Sequence, residues 1–381
     1  MILFKLIIRE TIVLYIRTVL MAFWGLYFFA CTGHATEGHL VDNQGTESLA
    51  SSNSSLQVQS SAVVTHQSVN QVENSTETLY SINIALDYRV NELGLAMMLE
   101  QSSRTKTSGA NDYFPLANSD AGTTTKRTQL SEMFIYGSLE EQQPGWQFGL
   151  AEVTTLIDNS EIANDEDSQF LSAGLLNNMT IMFPDYAISA RFQDLKAFGN
   201  KGYRLIISSG AGMAENEGSY SDLLSIGSSG KGVFSAVELV TQGKNYQAKL
   251  GVWQNTHPEA AQTGVYIGMD VTTQVVDVNF RYGQLTGSAN ANQLSEDNVD
   301  EFFAVAFHKE IAGVDLGLGY NISRHQQVIY ASSKGTFYQA AEAYYRMDLE
   351  NNVFITASLQ WIASSQERDV WLPTLRLEVL L

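Results

Sequence analysis

The chain has 381 residues, 44% hydrophobic and 17% charged, with 22 Lys+Arg against 41 Asp+Glu and a formal net charge of −19. That length can build one large domain or two ordinary ones, and the negative balance without any basic run argues against a nucleic-acid partner. Its one cysteine, Cys31, lies in the N-terminal leader, which excludes a disulfide framework and a thiolate nucleophile from the rest of the chain.

Residues 1–35 read as a secretory signal peptide. Lys5, Arg9 and Arg17 precede the apolar run Val19–Cys31, and Gly33 and Ala35 fit a small-residue cleavage site. The uncharged core is short for spanning ~30 Å of hydrocarbon, which argues against a retained anchor. Removing this leader takes away three basic residues and one acidic, and leaves 40 acidic against 19 basic residues. Residues 36–54 are Gly, Ser, Thr, Asn and acid, a flexible polar N-terminal segment.

From residue 55 to 381 the pattern is period-two alternation in runs of about ten residues, with turn-forming clusters between them. "SINIALDYRV" places Ile82, Ile84, Leu86, Tyr88 and Val90 on one face, with Asn83, Asp87 and Arg89 on the other. "NYQAKLGVW" sets Tyr246, Ala248, Leu250 and Val252 against Gln247, Lys249 and Trp253. "QVVDVNFRYG" separates Val276, Val278, Phe280 and Tyr282 from Asp277, Asn279 and Arg281. The C-terminal "DVWLPTLRLEVLL" puts Trp371, Pro373, Leu375, Leu377, Val379 and Leu381 opposite Leu372, Thr374, Arg376, Glu378 and Leu380. A soluble sandwich also alternates, but its strands are usually about 5–6 residues. A transmembrane β-barrel needs about 9–11 residues per strand, apolar toward lipid and polar toward a wet lumen, and these runs fit it.

The gaps between strands alternate in length. Tight connections fall at 91–92, 140–145, 241–244, 272–273, 310–311 and 349–351; longer ones fall at 102–129, 155–183, 211–230, 285–299 and 322–337. Short turns at one end and long loops at the other are the barrel's asymmetry. Fifteen strands follow from Tyr80 onward. A closed bacterial barrel takes an even number, so "SLQVQSSAVVT" (55–65) is expected as the first of sixteen. That order puts the outward aromatics in two belts, with Tyr282, Tyr320, Trp361 and Trp371 at the long-loop end. Tyr88, Tyr203, Tyr246 and Tyr345 form the other, as two membrane interfaces would select.

Several stretches resemble the carbohydrate-selective porin (OprB) family. "LYSINIALDYRVNELGLAMMLEQ" is similar to its early hairpin, and "QLSEMFIYGSLEEQQPGWQFGLAEVTTLIDNSEIANDEDSQFLSAGLLNNMTIMFP" to its signature block, with Glu132 in the first strand. "GVYIGMDVTTQ" and "AEAYYRMDLENNVFITASLQWI" resemble later hairpins, with Glu342 and Gln360 at matching positions. The resemblance implies a sixteen-stranded barrel that passes sugars and other small solutes by diffusion. It also implies that the third outer loop, 155–183 (counting the connection after the first strand as one), folds inward and narrows the lumen. That loop carries Asp158, Glu161, Asp165, Glu166 and Asp167, followed by "SQFLSAGLL" as a short helix. Inward Arg89, Arg204, Lys249 and Arg281 are expected to oppose those acids and set a transverse field. The alternatives are a solvated acidic loop on the cell surface, or a calcium or lipopolysaccharide contact. Inward Trp253, Tyr266 and Tyr344 could stack on sugar rings, or pack against the wall.

No H-E-x-x-H, G-x-S-x-G, P-loop or dinucleotide pattern is present. "GSSGKG" (227–232) lies in a long loop without a strand–loop–helix setting. The expectation is therefore a non-enzymatic outer-membrane porin of a Gram-negative bacterium, without cofactor or metal, carrying ions and small carbohydrates. Its partners would be outer-membrane lipid and lipopolysaccharide, the barrel-assembly machinery and further copies of itself. The alternatives are a barrel-embedded lipid hydrolase built on His308 and a plugged structural or adhesive barrel.

Overall fold

The computed structural model describes residues 54–69, 76–104, 110, 117–119, 127–138, 144–184, 186–213, 220, 223, 231–258, 261–288, 299–325, 336–349, 352–364 and 369–381. The expected signal peptide, all of the polar segment but its last residue, and much of the expected loops 102–129, 211–230, 285–299 and 322–337 lie outside the described residues.

Sixteen strands form one closed antiparallel barrel. They are β1 (Ser54–Gln67), β2 (Glu77–Val90), β3 (Leu93–Arg104), β4 (Arg127–Tyr136), β5 (Gly145–Ala151), β6 (Ala187–Asp194), β7 (Lys201–Ser209) and β8 (Val233–Gln242). They continue as β9 (Tyr246–Asn255), β10 (Gln262–Val271), β11 (Asp277–Ser288), β12 (Val299–Ile311), β13 (Val314–His325), β14 (Thr336–Asp348), β15 (Val353–Ser364) and β16 (Val370–Leu380). Each strand pairs with its chain neighbours, and β1 closes the ring on β16, with Val64 opposite Leu377 and Thr65 opposite Arg376. The weakly apolar first strand is thus present and is the piece that removes both sheet edges. Pairing between β1 and β16 ends at Thr374, beside Pro373, whose nitrogen cannot donate to a ladder.

Alternation sorts the side chains as the sequence implied. On β9, Leu250 and Val252 are 50% and 51% exposed on the outside, whereas Lys249 and Trp253 beside them turn inward and are buried. The eight belt aromatics all sit on the outer face, and Trp361 pairs directly with Trp371.

One end of the barrel carries the short turns. The β12–β13 turn is Ala312–Gly313, both with positive φ (54° and 79°), the mirror-image geometry that suits the twist of a two-residue hairpin. Two expected tight turns are longer. Residues 137–144 join β4 to β5, and residues 272–276 join β10 to β11. The latter is held by the Thr273 N–H donating to Asp277 (2.9 Å) and the Thr273 hydroxyl to the Val276 carbonyl (2.6 Å).

The inner wall departs from a uniformly polar face. Inward Phe234, Ala236, Trp253 and Tyr266 form one apolar cluster with Val153, Leu156 and Ile157; inward Phe302, Ala304, Ala306 and Tyr344 form another with Phe170, Leu175 and Leu176. The packed core of this protein lies inside the barrel, because a long loop brings its own apolar residues there and the wall supplies matching ones.

Candidate functional site

Residues 152–184 and 186, between β5 and β6, are bound inside the barrel rather than exposed above it. The loop opens with a single 3-10 turn at Val153–Thr155 and contains one turn of α-helix, α1 (Ala173–Leu176), within the expected helical stretch. Among the described residues, polar groups of the wall hold it at many points, several of them through loop backbone, as where Glu132 accepts the Glu152 N–H (2.9 Å) and Asn255 donates to the Met182 carbonyl (3.3 Å).

The first place is on β7 to β11. Glu238, fully buried, accepts the backbone N–H of Asp158 (3.0 Å), the Tyr266 hydroxyl (2.8 Å) and the Arg204 guanidinium (2.5 Å). Arg204 also donates to Asn159 Oδ1 (3.3 Å), and the Lys249 ammonium donates to the Asn159 carbonyl while facing Asp270 at 3.3 Å. Arg281, also buried, donates to the carbonyls of Leu175 (2.7 Å) and Asp158 (3.2 Å) and to Asn164 Oδ1 (3.2 Å). Its Nε stands 3.3 Å from the Asp158 carboxylate.

The second place is on β14, where the buried Glu342 carboxylate accepts the N–H groups of Leu171 (3.0 Å) and Ser172 (2.9 Å). The third is on β16, where Arg376 donates to the carbonyls of Glu166 and Gln169. The fourth is on β2, where Asn83 donates to Asp167 at 3.3 Å. Two glycines of the wall make room for this close approach. A Cβ on Gly283 would lie 2.1 Å from the Thr180 hydroxyl, and one on Gly319 would lie 2.5 Å from Leu175. The second outer loop joins the same assembly, since the Ser119 N–H donates to the Leu171 carbonyl (2.9 Å) and Gln360 donates to the Ala117 carbonyl (2.8 Å).

The expected site residues therefore divide. Arg204, Lys249 and Arg281 meet the loop, but they hold backbone carbonyls, Asn159 or buried carboxylates instead of facing a row of acids across open space. Arg89 lies elsewhere, near the short turn after β2, with its guanidinium 5.7 Å from the Tyr136 ring centre. Among the acids, Asp158 is buried against Arg281; Asp165 accepts from the Asp167 N–H, the Ser168 N–H and the Ser168 hydroxyl, shaping the loop itself. Glu161 is exposed, and Glu166 and Asp167 are half-buried. Trp253, Tyr266 and Tyr344 are covered: Trp253 stacks on Phe234 (6.2 Å) and Tyr344 meets Phe170 edge-on (5.0 Å). His308 stands 3.6 Å from Asp315 near the short-turn end, with no serine hydrogen-bonded to it among the described residues. Glu238, Asp270 and Arg376 were not singled out from sequence. Their signal was available, since each is a charge at an inward position of an alternating strand.

Burial pushes the Asp158 carboxyl up to about 6, against the pull of Arg281 and Lys249. The docked loop thus binds a proton more tightly than a freely solvated aspartate would. The contribution of Asp158 to docking is therefore expected to be fully present below pH ~4 and to be lost as pH rises through about 6. A nitroxide at the exposed position 161 (E161C) should become more mobile as pH is raised across that window. D158N should flatten the profile between pH ~4 and about 6; an unchanged profile in D158N would show that another group is responsible.

A closed sixteen-stranded barrel with its third outer loop bound in the lumen has the architecture of outer-membrane porins. No protein-family model matches the chain, and no curated protein matches it by sequence. Among solved structures, it is similar to OprB of Pseudomonas putida at high pH, with 12% identity over 86% of this chain and 94% of that one and a TM-score of 0.62. It is also similar to the trimer form of OmpT, an outer membrane protein of Vibrio cholerae (11% identity, 86% and 99% covered, TM-score 0.54). A third is the outer membrane channel DcaP of Acinetobacter baumannii (9% identity, 86% and 97% covered, TM-score 0.53). The likeness is one of fold, and it agrees with the resemblance and the strand count read from the sequence.

Proposed function

We propose that the protein is a diffusion porin of a Gram-negative outer membrane, passing small hydrophilic solutes, sugars among them, without catalysis or cofactor. The observation that carries this reading is the two-sided wall: a mostly apolar outer face, with charged anchors inside holding a loop across the lumen. A loop held at several points of the wall narrows a passage without hinging open, which suits passive sieving. With Arg204, Lys249 and Arg281 committed to holding the loop, the exposed Glu161 and the overall acidity favour cations and neutral solutes over anions across the whole channel. Export by the leader, insertion by barrel-assembly machinery, contact with lipid and lipopolysaccharide, and association into oligomers complete the proposal.

Reconstitution into a planar bilayer tests it. Stepwise conductance with weak cation preference, reduced by added sugars, is the expected result. A correctly folded barrel that passes no ions would instead favour the plugged structural reading, which the apolar packing of the loops in the lumen supports.

A further inference from the structure

A cavity of about 800 Å³ lies beneath the third loop, toward the short-turn end of β6 to β10. Its roof is the loop at Thr155 and Asn159–Ile162, its inner wall is Arg204, Lys249 and Asp270, and its rim is the turns around Lys196–Asn200 and Gly243–Tyr246. We propose that this cavity is a binding site for small polyhydroxylated carboxylates, sugar acids in chemical class, on the short-turn side of the constriction. The transport meaning of the site rests on the porin reading above.

Its volume falls within the range of small-molecule sites, about 300–1,000 Å³. The rim is fixed. The Gln242 N–H donates to the Asn200 carbonyl (2.8 Å), the Thr272 N–H to the Asn245 carbonyl (2.9 Å), and the Gly243 N–H to the Tyr246 carbonyl (2.8 Å), which ties three neighbouring turns together. A fixed rim loses little conformational freedom on binding.

The charge of this cavity runs against that of the chain. Lys196, Arg204, Lys244 and Lys249 line it with only Glu161 and Asp270 as acids, in a protein of net charge −19. The inner charges are already committed. Arg204 serves Glu238, while Asp270 takes the Ser160 hydroxyl (2.6 Å) and the Asn279 amide (2.7 Å) and faces Lys249 at 3.3 Å. At the rim, the Lys196 and Lys244 ammonium groups are exposed and make no ion pair or hydrogen bond among the described residues. Two uncommitted cations on a fixed rim suit a carboxylate. The side-chain amides of Asn200, Asn245 and Gln247, likewise without partners among the described residues, offer donors and acceptors to hydroxyl groups. Glu161, the one exposed acid of the lining, sits on the roof, so the carboxylate is expected at the rim and the hydroxylated chain above it.

Equilibrium titration of the intact detergent-solubilised barrel with gluconate tests this, with sorbitol as the uncharged comparison. Gluconate should bind more tightly than sorbitol. The double variant K196Q/K244Q should weaken gluconate about fivefold, the size expected for losing two exposed charge contacts, while leaving sorbitol unchanged. Equal affinity for the two solutes, or an unchanged gluconate affinity in the double variant, would overturn the site. Binding by a barrel that carries no current would overturn the porin reading and leave the site standing.

Discussion

Arg281→Ala will release the middle of the third loop from the wall. The substitution removes donors to Leu175, Asp158 and Asn164 and leaves the Asp158 carboxylate buried without its nearest countercharge. Removing one partner of a buried pair typically costs about 3–5 kcal/mol, because the other charge stays desolvated. Asp158 has an escape. With its carboxyl already pushed up to about 6 by burial, it can take a proton, so the defect should be larger at pH 8 than at pH 5. The expected readouts are a more mobile nitroxide at position 161 and a larger single-channel conductance, with the strand content unchanged. Arg281→Lys should restore only part of the effect, since an ammonium cannot span the several acceptors that a guanidinium fork reaches. An R281A barrel with wild-type loop mobility at both pH values would show that the clusters around Trp253 and Phe170 hold the loop by themselves.

Leu250→Arg will destabilise the barrel in lipid far more than Gln254→Arg. Both positions are exposed on the outer face of β9, but Leu250 lies mid-strand and Gln254 is one residue from its long-loop end. On a lipid-facing strand an arginine costs about 2–4 kcal/mol at the bilayer midplane and about 0–1 near the interface. Reversible guanidinium unfolding in phospholipid vesicles measures the difference. Equal costs at the two positions would mean that no hydrocarbon layer surrounds this face, and the two-sided wall would lose its meaning.

Much of the fold was legible because a β-strand has a period of two. Leu250 beside Lys249, and Leu377 beside Arg376, announce their faces from local sequence alone. Parity then found the first strand, since closure forbids an odd edge even where "SLQVQSSAVVT" is hardly apolar. The turns after β4 and β10 were less legible. Residues 137–144 and 272–276 are longer than composition suggested, and Thr273 with Asp277 closes the second through side-chain bonds to backbone.

The site was legible by address and not by role. The acidic run after β5 marked the loop, and the inward basic residues marked the wall. Opposing signs suggested a field across open water, yet Arg204, Arg281 and Arg376 spend their charge mainly on Glu238 and on backbone carbonyls. A loop without regular structure has many unpaired N–H and C=O groups, and bringing it into the barrel obliges the wall to satisfy them. Sequence shows the charged wall residue but not the carbonyl it will meet.

The amino-acid order by itself determined the two faces, the number of strands and which connections are long. Only the tertiary structure decided where the loop is held. Glu238, Arg281, Glu342 and Arg376 are distant along the chain and become one set of anchors when β1 joins β16 and the ring closes. Alternation is set by bonds between adjacent residues, whereas the partner of an inward charge is set by the curvature of the whole wall.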